Sequence, residues 1–298
     1  MLRTLVTTTR VSSCPGRRLT LNKGDAVNAD FEEQQYLFDL NGYLVIEDVL
    51  GADELAELNA IIDAQELPPP QEYFPRFGSA AGAIHKTGPG FLQWGEPFVR
   101  LMDHPVLMSM LRMRLGECFR LERLYGIYMR KGWPAGKLHA DYGASSPHAL
   151  SPPGEFYTFP NNRMSSGFVT GTWNLNDTGP GIGGFCVVPG SHKANFRIPK
   201  RIHEAHQDSP WVKIVEAPAG SLTLFTEALT HGTARWEGDH ERRTLLYKYC
   251  VSSMSWGATR VTPPEGIDLT PRQQQLLAGP GEPLTHFPSL FSEELAAG

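Results

Sequence analysis

At 298 residues, 41% hydrophobic and 20% charged, the chain has the composition of an ordinary globule with material for a sizeable core, neither fibrous nor membrane-embedded. A formal charge of −5 without any dense Lys/Arg block announces neither nucleic acid nor an anionic membrane as partner. No run approaches the ~18 apolar residues of a membrane span, so the expected partner is a small-molecule substrate, with no nucleic acid and no membrane. The four cysteines, Cys14, Cys118, Cys186 and Cys250, are scattered without a C-x-x-C pair, which argues against a zinc ribbon or disulfide framework and suits a reducing, cytoplasmic compartment.

Residues 1–30 read as an N-terminal extension, and residues 31–298 as a single domain, since β barrels and sandwiches often run to roughly 200–250 residues as one unit. Within 1–24, Arg3, Arg10, Arg17, Arg18 and Lys23 stand among Ser and Thr with no acidic residue. That is the composition of a mitochondrial transit peptide, but β-branched residues dominate, and a flexible or edge-strand tail explains it equally well. A secretory signal is not expected, because no apolar segment of roughly 7–15 residues is present.

From Phe31 the sequence predicts a short helix, an Asn41-Gly42 turn and a strand through Tyr43 to Val49. Residues 53–65 carry Leu55, Leu58, Ile61 and Ile62 on one helical face, with Asp53 placed to cap the N-terminus. Clustered Pro and Gly make residues 66–90 a loop, and a helical pattern returns from Phe98 to Leu115. After Phe119 the period changes. Short β-branched or aromatic runs, FRLERLYGIYMRKG, SGFVTGTWNLND, GGFCVVPG, WVKIVEAPAG, SLTLFT and RTLLYKYCVSS, are separated by Gly, Pro and Asn turns. Six such runs without βαβ alternation predict a mostly β domain with flanking helices, a sandwich or a jelly roll, and a cupin-like double-stranded β-helix is the jelly roll that commonly holds a metal. The long connection 142–167 is expected to be either a lid or a mobile surface loop. Near the C-terminus, Thr270 at N-cap and Pro271 at N1 predict a short helix to Leu277.

The chemistry starts at His139-Ala140-Asp141. Residues i and i+2 of a strand share a face, so a strand through Leu138 to Tyr142 would aim His139 and Asp141 into one space. A third ligand would complete two histidines and one carboxylate with open positions opposite, the arrangement of non-haem Fe(II) oxygenases. His231, ninety residues beyond Asp141 at the end of another β run, is the candidate. On the next strand stand Arg242 and Arg243. A cosubstrate such as 2-oxoglutarate has a far carboxylate that a planar, permanently charged guanidinium binds bidentately; alternation alone leaves open which arginine points inward. Glu227 could orient His231 or be polar sheet edge.

These residues, with HADYG, GTWNLNDTGPGIGGFCVVPGSHKANF and AGSLTLFTEALTHGTARWEGDHERRTLLYKY around them, resemble the phytanoyl-CoA dioxygenase family of Fe(II)/2-oxoglutarate oxygenases, loosely from Phe31 to Leu277. The resemblance implies Fe(II) bound by His139, Asp141 and His231. It selects Arg242, eleven residues after His231, for the far carboxylate of 2-oxoglutarate, adds Thr233 as a second contact, and sets Trp173 against the cosubstrate. PGSHK with His192 is a family marker to which no ligand role is given. Relatives that halogenate lack the carboxylate ligand; Asp141 is present, so the resemblance implies O2-dependent hydroxylation of an unactivated C–H bond in a small molecule. The alternatives are a non-catalytic jelly-roll module that binds a ligand, and a cupin-type metalloenzyme that does not use 2-oxoglutarate.

Overall fold

The computed structural model describes residues 10–13, 17–20, 26–65, 67, 88–143, 157–159, 164–205 and 208–296. Two strands, β1 (Arg10–Ser13) and β2 (Arg17–Thr20), precede helix α1 (Ala26–Asn41) and strand β3 (Tyr43–Glu47). Between α1 and β3 the chain reverses at Gly42, whose φ of +81° a side chain would resist and whose missing Cβ leaves room for the His192 ring. Helix α2 (Ala52–Asp63) follows. Its N-cap is Gly51, not Asp53: the Glu54 carboxylate reaches back to accept from the Gly51 N–H at 2.9 Å, the return half of a capping box.

The expected helix over 98–115 is two, α3 (Glu96–Met102) and α4 (Pro105–Leu115). Pro105 cannot donate into a continuing helix and excludes His104 from the α region, so the chain breaks there and Pro105 opens a new first turn. The His104 ring then accepts from the Val106 N–H at 3.3 Å as a cap. The six predicted β runs form β4 (Phe119–Met129), β5 (Phe168–Asn174), β6 (Gly184–Val187), β7 (Lys213–Ile214), β8 (Leu222–Thr226) and β10 (Arg242–Val251), with a short α5 (Lys200–Ala205) before β7 and β9 (His231–Ala234) before β10. Helix α6 (Pro271–Leu276) is capped by Thr270, whose hydroxyl accepts from the Gln273 N–H, as the sequence predicts. No helix among the described residues is long and apolar enough to cross a membrane. Most of 66–90 and of 142–167 lies outside the described residues, including the expected lid.

The strands assemble into a seven-stranded sheet in the order β2-β1-β3-β8-β5-β10-β4 and a three-stranded sheet in the order β7-β6-β9. All named pairings are antiparallel. Sequence-distant strands therefore lie side by side: Lys248 of β10 pairs with Thr170 of β5 and Arg123 of β4.

The large sheet separates two apolar layers. On one side Val169, Trp173, Leu245, Tyr247 and Tyr249 pack against helices through Phe98, Met102, Leu107 and Leu111. Gly171 is needed there, because a Cβ would stand 2.6 Å from Leu107. The Tyr247 and Tyr249 hydroxyls donate to the Phe98 and Met102 carbonyls at 2.6 Å each, tying α3 to the middle of the sheet. On the other side Tyr43, Val45, Ile127, Met129, Phe225 and Leu246 meet Val187 of the small sheet and Val215 and Trp236, which follow its strands β7 and β9. Because alternate residues of a strand face opposite ways, the inner face of β10 carries Arg242, Thr244, Leu246 and Lys248. That face forms the floor of the site.

Candidate metal and cosubstrate site

His139 and His231 are brought together by the backbone. Each donates its N–H to the other's carbonyl at 2.8 Å, the hydrogen-bonded pair of an antiparallel bridge, and the ring centroids lie 4.5 Å apart. The regular strand expected over Leu138–Tyr142 is reduced to this one bridge. Past it the chain bends, and the Asp141 N–H donates instead to the Glu227 carbonyl at 2.9 Å. The bend leaves Asp141 beside the corner between β8 and β9.

Each histidine ring is oriented by a backbone acceptor. His139 Nδ1 lies 3.0 Å from the Lys137 carbonyl and His231 Nδ1 2.8 Å from the Leu229 carbonyl. A carbonyl oxygen only accepts, so Nδ1 carries the proton in both rings and Nε2 keeps its lone pair. Burial, and secondarily the neighbouring His139, push the His231 pKa down to about 3, which keeps that ring neutral. Phe225 packs on the His231 ring with centroids 4.8 Å apart. His139 is exposed, so the pair has a closed side and an open one.

Asp141 lies within electrostatic reach of both rings, His231 and His139. Its carboxylate is paired with the ammonium of Lys248, and Lys248 Nζ also lies 3.3 Å from Glu227 Oε1. The Thr170 hydroxyl donates to the same Glu227 oxygen. Burial, the largest single influence, would raise the Asp141 pKa, but the charge and hydrogen bond of Lys248 together with the two histidines outweigh it and hold the group below its ordinary value. Burial holds Glu227 above its ordinary value, against the pull of Lys248. For Lys248 burial works downward, and the carboxylates of Glu227 and Asp141 more than offset it. Among the described residues no three His, Cys, Asp or Glu side chains are gathered closely enough to hold a metal as they stand. The expected triad is a neighbourhood whose carboxylate is drawn to a lysine.

Glu227 does not orient His231, since the Leu229 carbonyl takes that place at Nδ1. Its Oε2 lies instead 3.9 Å from His231 Nε2, on the side of the free lone pair.

Arg242 and Arg243 part company. Arg243 points to α2, donating to the Asn59 carbonyl at 3.2 Å and pairing with Asp63 and Glu241. Arg242 points inward and is 1% exposed; its Nε donates to Thr244 Oγ1 at 3.1 Å, and Nη1 lies 3.4 Å from both Thr233 Oγ1 and the Met129 sulfur. No carboxylate pairs with it among the described residues, and burial pushes its pKa down to about 10. A buried guanidinium lacking a counter-ion is costly to keep. Thr233 stands two residues after His231 on β9, cross-strand from Phe185.

Trp173 is not part of this arrangement. It is fully buried on the helical face of β5, with His104 edge-on at 5.2 Å, while Thr170, Thr172 and Asn174 take the inner face. Strand alternation thus turns the expected cosubstrate contact into a core residue. His192 is structural as expected: its Nε2–H donates to the Asp39 carbonyl at 2.9 Å, and its ring packs edge-on against Tyr157. Cys118, Cys186 and Cys250 are buried free thiols. Two cavities lie elsewhere. One of about 550 Å³ runs along α1 past Tyr36, Arg114 and Tyr157; another of about 780 Å³ lies between α2, α3 and α6. Neither is lined by a predicted site residue.

Lys248 and Thr170 were not singled out from the sequence. The signal for Lys248 was available: it stands six residues after Arg242 in one strand, an even offset that puts both on one face.

Two antiparallel sheets stacked face to face, with a bridged histidine pair and an inward arginine between them, define a double-stranded β-helix of the metal-dependent oxygenase class. The chain belongs to the phytanoyl-CoA dioxygenase (PhyH) family, whose profile matches residues 38–244. This is a family of Fe(II)- and 2-oxoglutarate-dependent oxygenases, and these are its cofactors. The fold is shared with HygX from Streptomyces hygroscopicus. Its complex with nickel, 2-oxoglutarate and hygromycin B aligns with a TM-score of 0.62 at 24% identity, over 79% of this chain and 94% of HygX. Its iron-bound form aligns with a TM-score of 0.58 at 24% identity, over 75% and 87%. No curated protein sequence matches the chain significantly.

Proposed function

We propose that this oxygenase is a hydroxylase of a small molecule, with Fe(II) held by His139, Asp141 and His231 and the far carboxylate of 2-oxoglutarate held by Arg242 with Thr233. The observation that carries the reading is Arg242. A guanidinium 1% exposed, with hydroxyl and thioether neighbours and no carboxylate among the described residues, is suited to an anionic partner. A dicarboxylate end supplies the missing charge and accepts two parallel N–H bonds. The two histidines fit a divalent metal because their protonated Nδ1 atoms are already committed to backbone carbonyls, which leaves both Nε2 lone pairs for a cation.

When bound, Fe(II) and 2-oxoglutarate let O2 deliver one oxygen atom to a C–H bond while the cosubstrate is converted to succinate and CO2. The residues of this chain supply orientation around that chemistry. Arg242 and Thr233 fix the direction of the dicarboxylate. Phe185 and Phe225, whose rings pack on His231, exclude water on the closed side, and the exposed His139 edge is where a substrate approaches. HygX is crystallised with a small molecule, hygromycin B, and the proposal takes only that size class from it.

Anaerobic addition of Fe(II) and 2-oxoglutarate tests the reading. The expected result is a weak visible metal-to-ligand charge-transfer band, lost in Arg242→Ala and in His231→Ala. Metal demonstrably bound in the wild type with no band on adding 2-oxoglutarate would sink it.

A further inference from the structure

The site contains one carboxylate more than a two-histidine, one-carboxylate centre uses. Glu227 is 1% exposed, and its Oε2 stands 3.9 Å from His231 Nε2, the nitrogen that the proposed function gives to the metal. A hard divalent cation beside two imidazoles attracts any carboxylate within reach, and a buried one has lost the water that would otherwise compete to solvate it. With Glu227 as a fourth protein ligand, the centre would keep too few open positions for a chelating cosubstrate and O2.

What holds Glu227 back is equally visible. Its other oxygen, Oε1, takes the Thr170 hydroxyl and lies 3.3 Å from Lys248 Nζ. Lys248 is itself 3% exposed, is pinned at the second carboxylate by Asp141, and has the Phe168 ring 5.7 Å from its ammonium. The charge count points the same way. Two carboxylates, Glu227 buried and Asp141 half-buried, and one ammonium leave a single negative charge. Without the lysine, two negative charges remain, and the simplest neutralisation is both carboxylates on one M²⁺.

We propose that Lys248 is a positioning residue that keeps Glu227 out of the metal's coordination sphere and so reserves the positions that 2-oxoglutarate and O2 occupy. This rests on the ligand reading of His139, Asp141 and His231. Lys248 also pairs with Asp141, so its removal frees both carboxylates, and its action through Glu227 is read from the difference between a lysine variant and the same variant with Glu227 made neutral.

The test compares wild type, Lys248→Met and Lys248→Met/Glu227→Gln, each checked for folding by circular dichroism. Metal affinity is read anaerobically with Fe(II) and Co(II) against a competing chelator, and cosubstrate binding by the charge-transfer band on adding 2-oxoglutarate. Lys248→Met is expected to hold metal about tenfold more tightly or better, the usual scale of changes around ligands, and to lose the band. The double variant regains the band and returns metal affinity toward wild type. The double variant carries the decision if Lys248→Met does not fold, because it leaves no unpaired second carboxylate. A Lys248→Met protein that keeps the band with wild-type 2-oxoglutarate affinity overturns the inference, as does a folded, metal-loaded double variant that stays silent. A wild type without a band overturns the ligand and cosubstrate reading instead, so the two failures are told apart.

Discussion

Replacing Arg242 by Met separates function from stability in a way few positions permit. Removing one partner of a buried, hydrogen-bonded charge pair costs about 2–5 kcal/mol of binding. At ~1.4 kcal/mol per factor of ten, that is a loss of roughly thirtyfold to several thousandfold in 2-oxoglutarate affinity. The fold should not suffer. Arg242 contributes two hydroxyl contacts and a sulfur contact, has no carboxylate partner among the described residues, and is pushed down to about 10 by burial. Exchanging such a cation for an apolar side chain of similar length is neutral or stabilising. The assay is thermal unfolding of the metal-loaded protein with and without 2-oxoglutarate. At a hundred times Kd a ligand adds about 2.7 kcal/mol to the native state, which in a domain near this size raises Tm by roughly 5–10 °C. The wild type shows that rise. Arg242→Met starts at an equal or higher Tm and shows none at the same concentration. A variant with lower Tm but 2-oxoglutarate affinity within about threefold of wild type, under ~0.7 kcal/mol, would refute the assignment.

Thr233→Val removes one hydroxyl 3.4 Å from Arg242 Nη1. It should raise the KM for 2-oxoglutarate about five- to tenfold, the worth of one hydrogen bond near 1 kcal/mol, with metal affinity unchanged in a chelator competition. Trp173→Ala should cost about 3–5 kcal/mol in urea unfolding and leave the 2-oxoglutarate titration of the folded fraction where it was; a selective loss of cosubstrate affinity would return Trp173 to the site. Gly42→Ala should destabilise by more than the ~1 kcal/mol of an ordinary glycine replacement, because φ is +81° and the new Cβ meets His192 at 2.5 Å and Leu229 at 2.9 Å. Since the Leu229 carbonyl orients His231, metal affinity should fall with it, and chelator competition at a temperature well below Tm measures this.

Much of this was legible in one dimension. The six β runs announce themselves by β-branched and aromatic residues between turn formers, and each became a strand. Residue types made His139, Asp141, His231 and the Arg242-Arg243 pair candidates, since few side chains can bind a divalent metal or a dicarboxylate, and the family resemblance chose Arg242; the structure brings the two histidines together and turns Arg242 inward. Side-chain direction was not legible. Arg242 and Arg243 have the same chemistry, and only the register of β10 against β4 and β5 sends one inward and the other to Asp63. The same parity moved Trp173 to the helical core. Glu227 was visible as a neighbour of His231, but its approach to Nε2 depends on how tightly the corner between β8 and β9 folds, which places the Leu229 carbonyl at Nδ1 first. At the helix start, Gly51 displaced Asp53 as cap because a glutamate three residues on completes the box from the other end.

One strand explains why the two cations of this site must be read together. Arg242 and Lys248 share the inner face of β10 and are separated by six residues, about 20 Å of strand at ~3.3 Å per residue. Each is buried, so each needs an anion, and the sequence supplies one unequally: Lys248 has Asp141 and Glu227, Arg242 has hydroxyls. At that distance the two do not share a partner. The lysine end is saturated with fixed carboxylates, which makes it part of the protein's own charge balance. Under the proposed function, the arginine end is the one whose charge a ligand would balance, and an anionic cosubstrate between the sheets would take its direction from Arg242 rather than from Lys248.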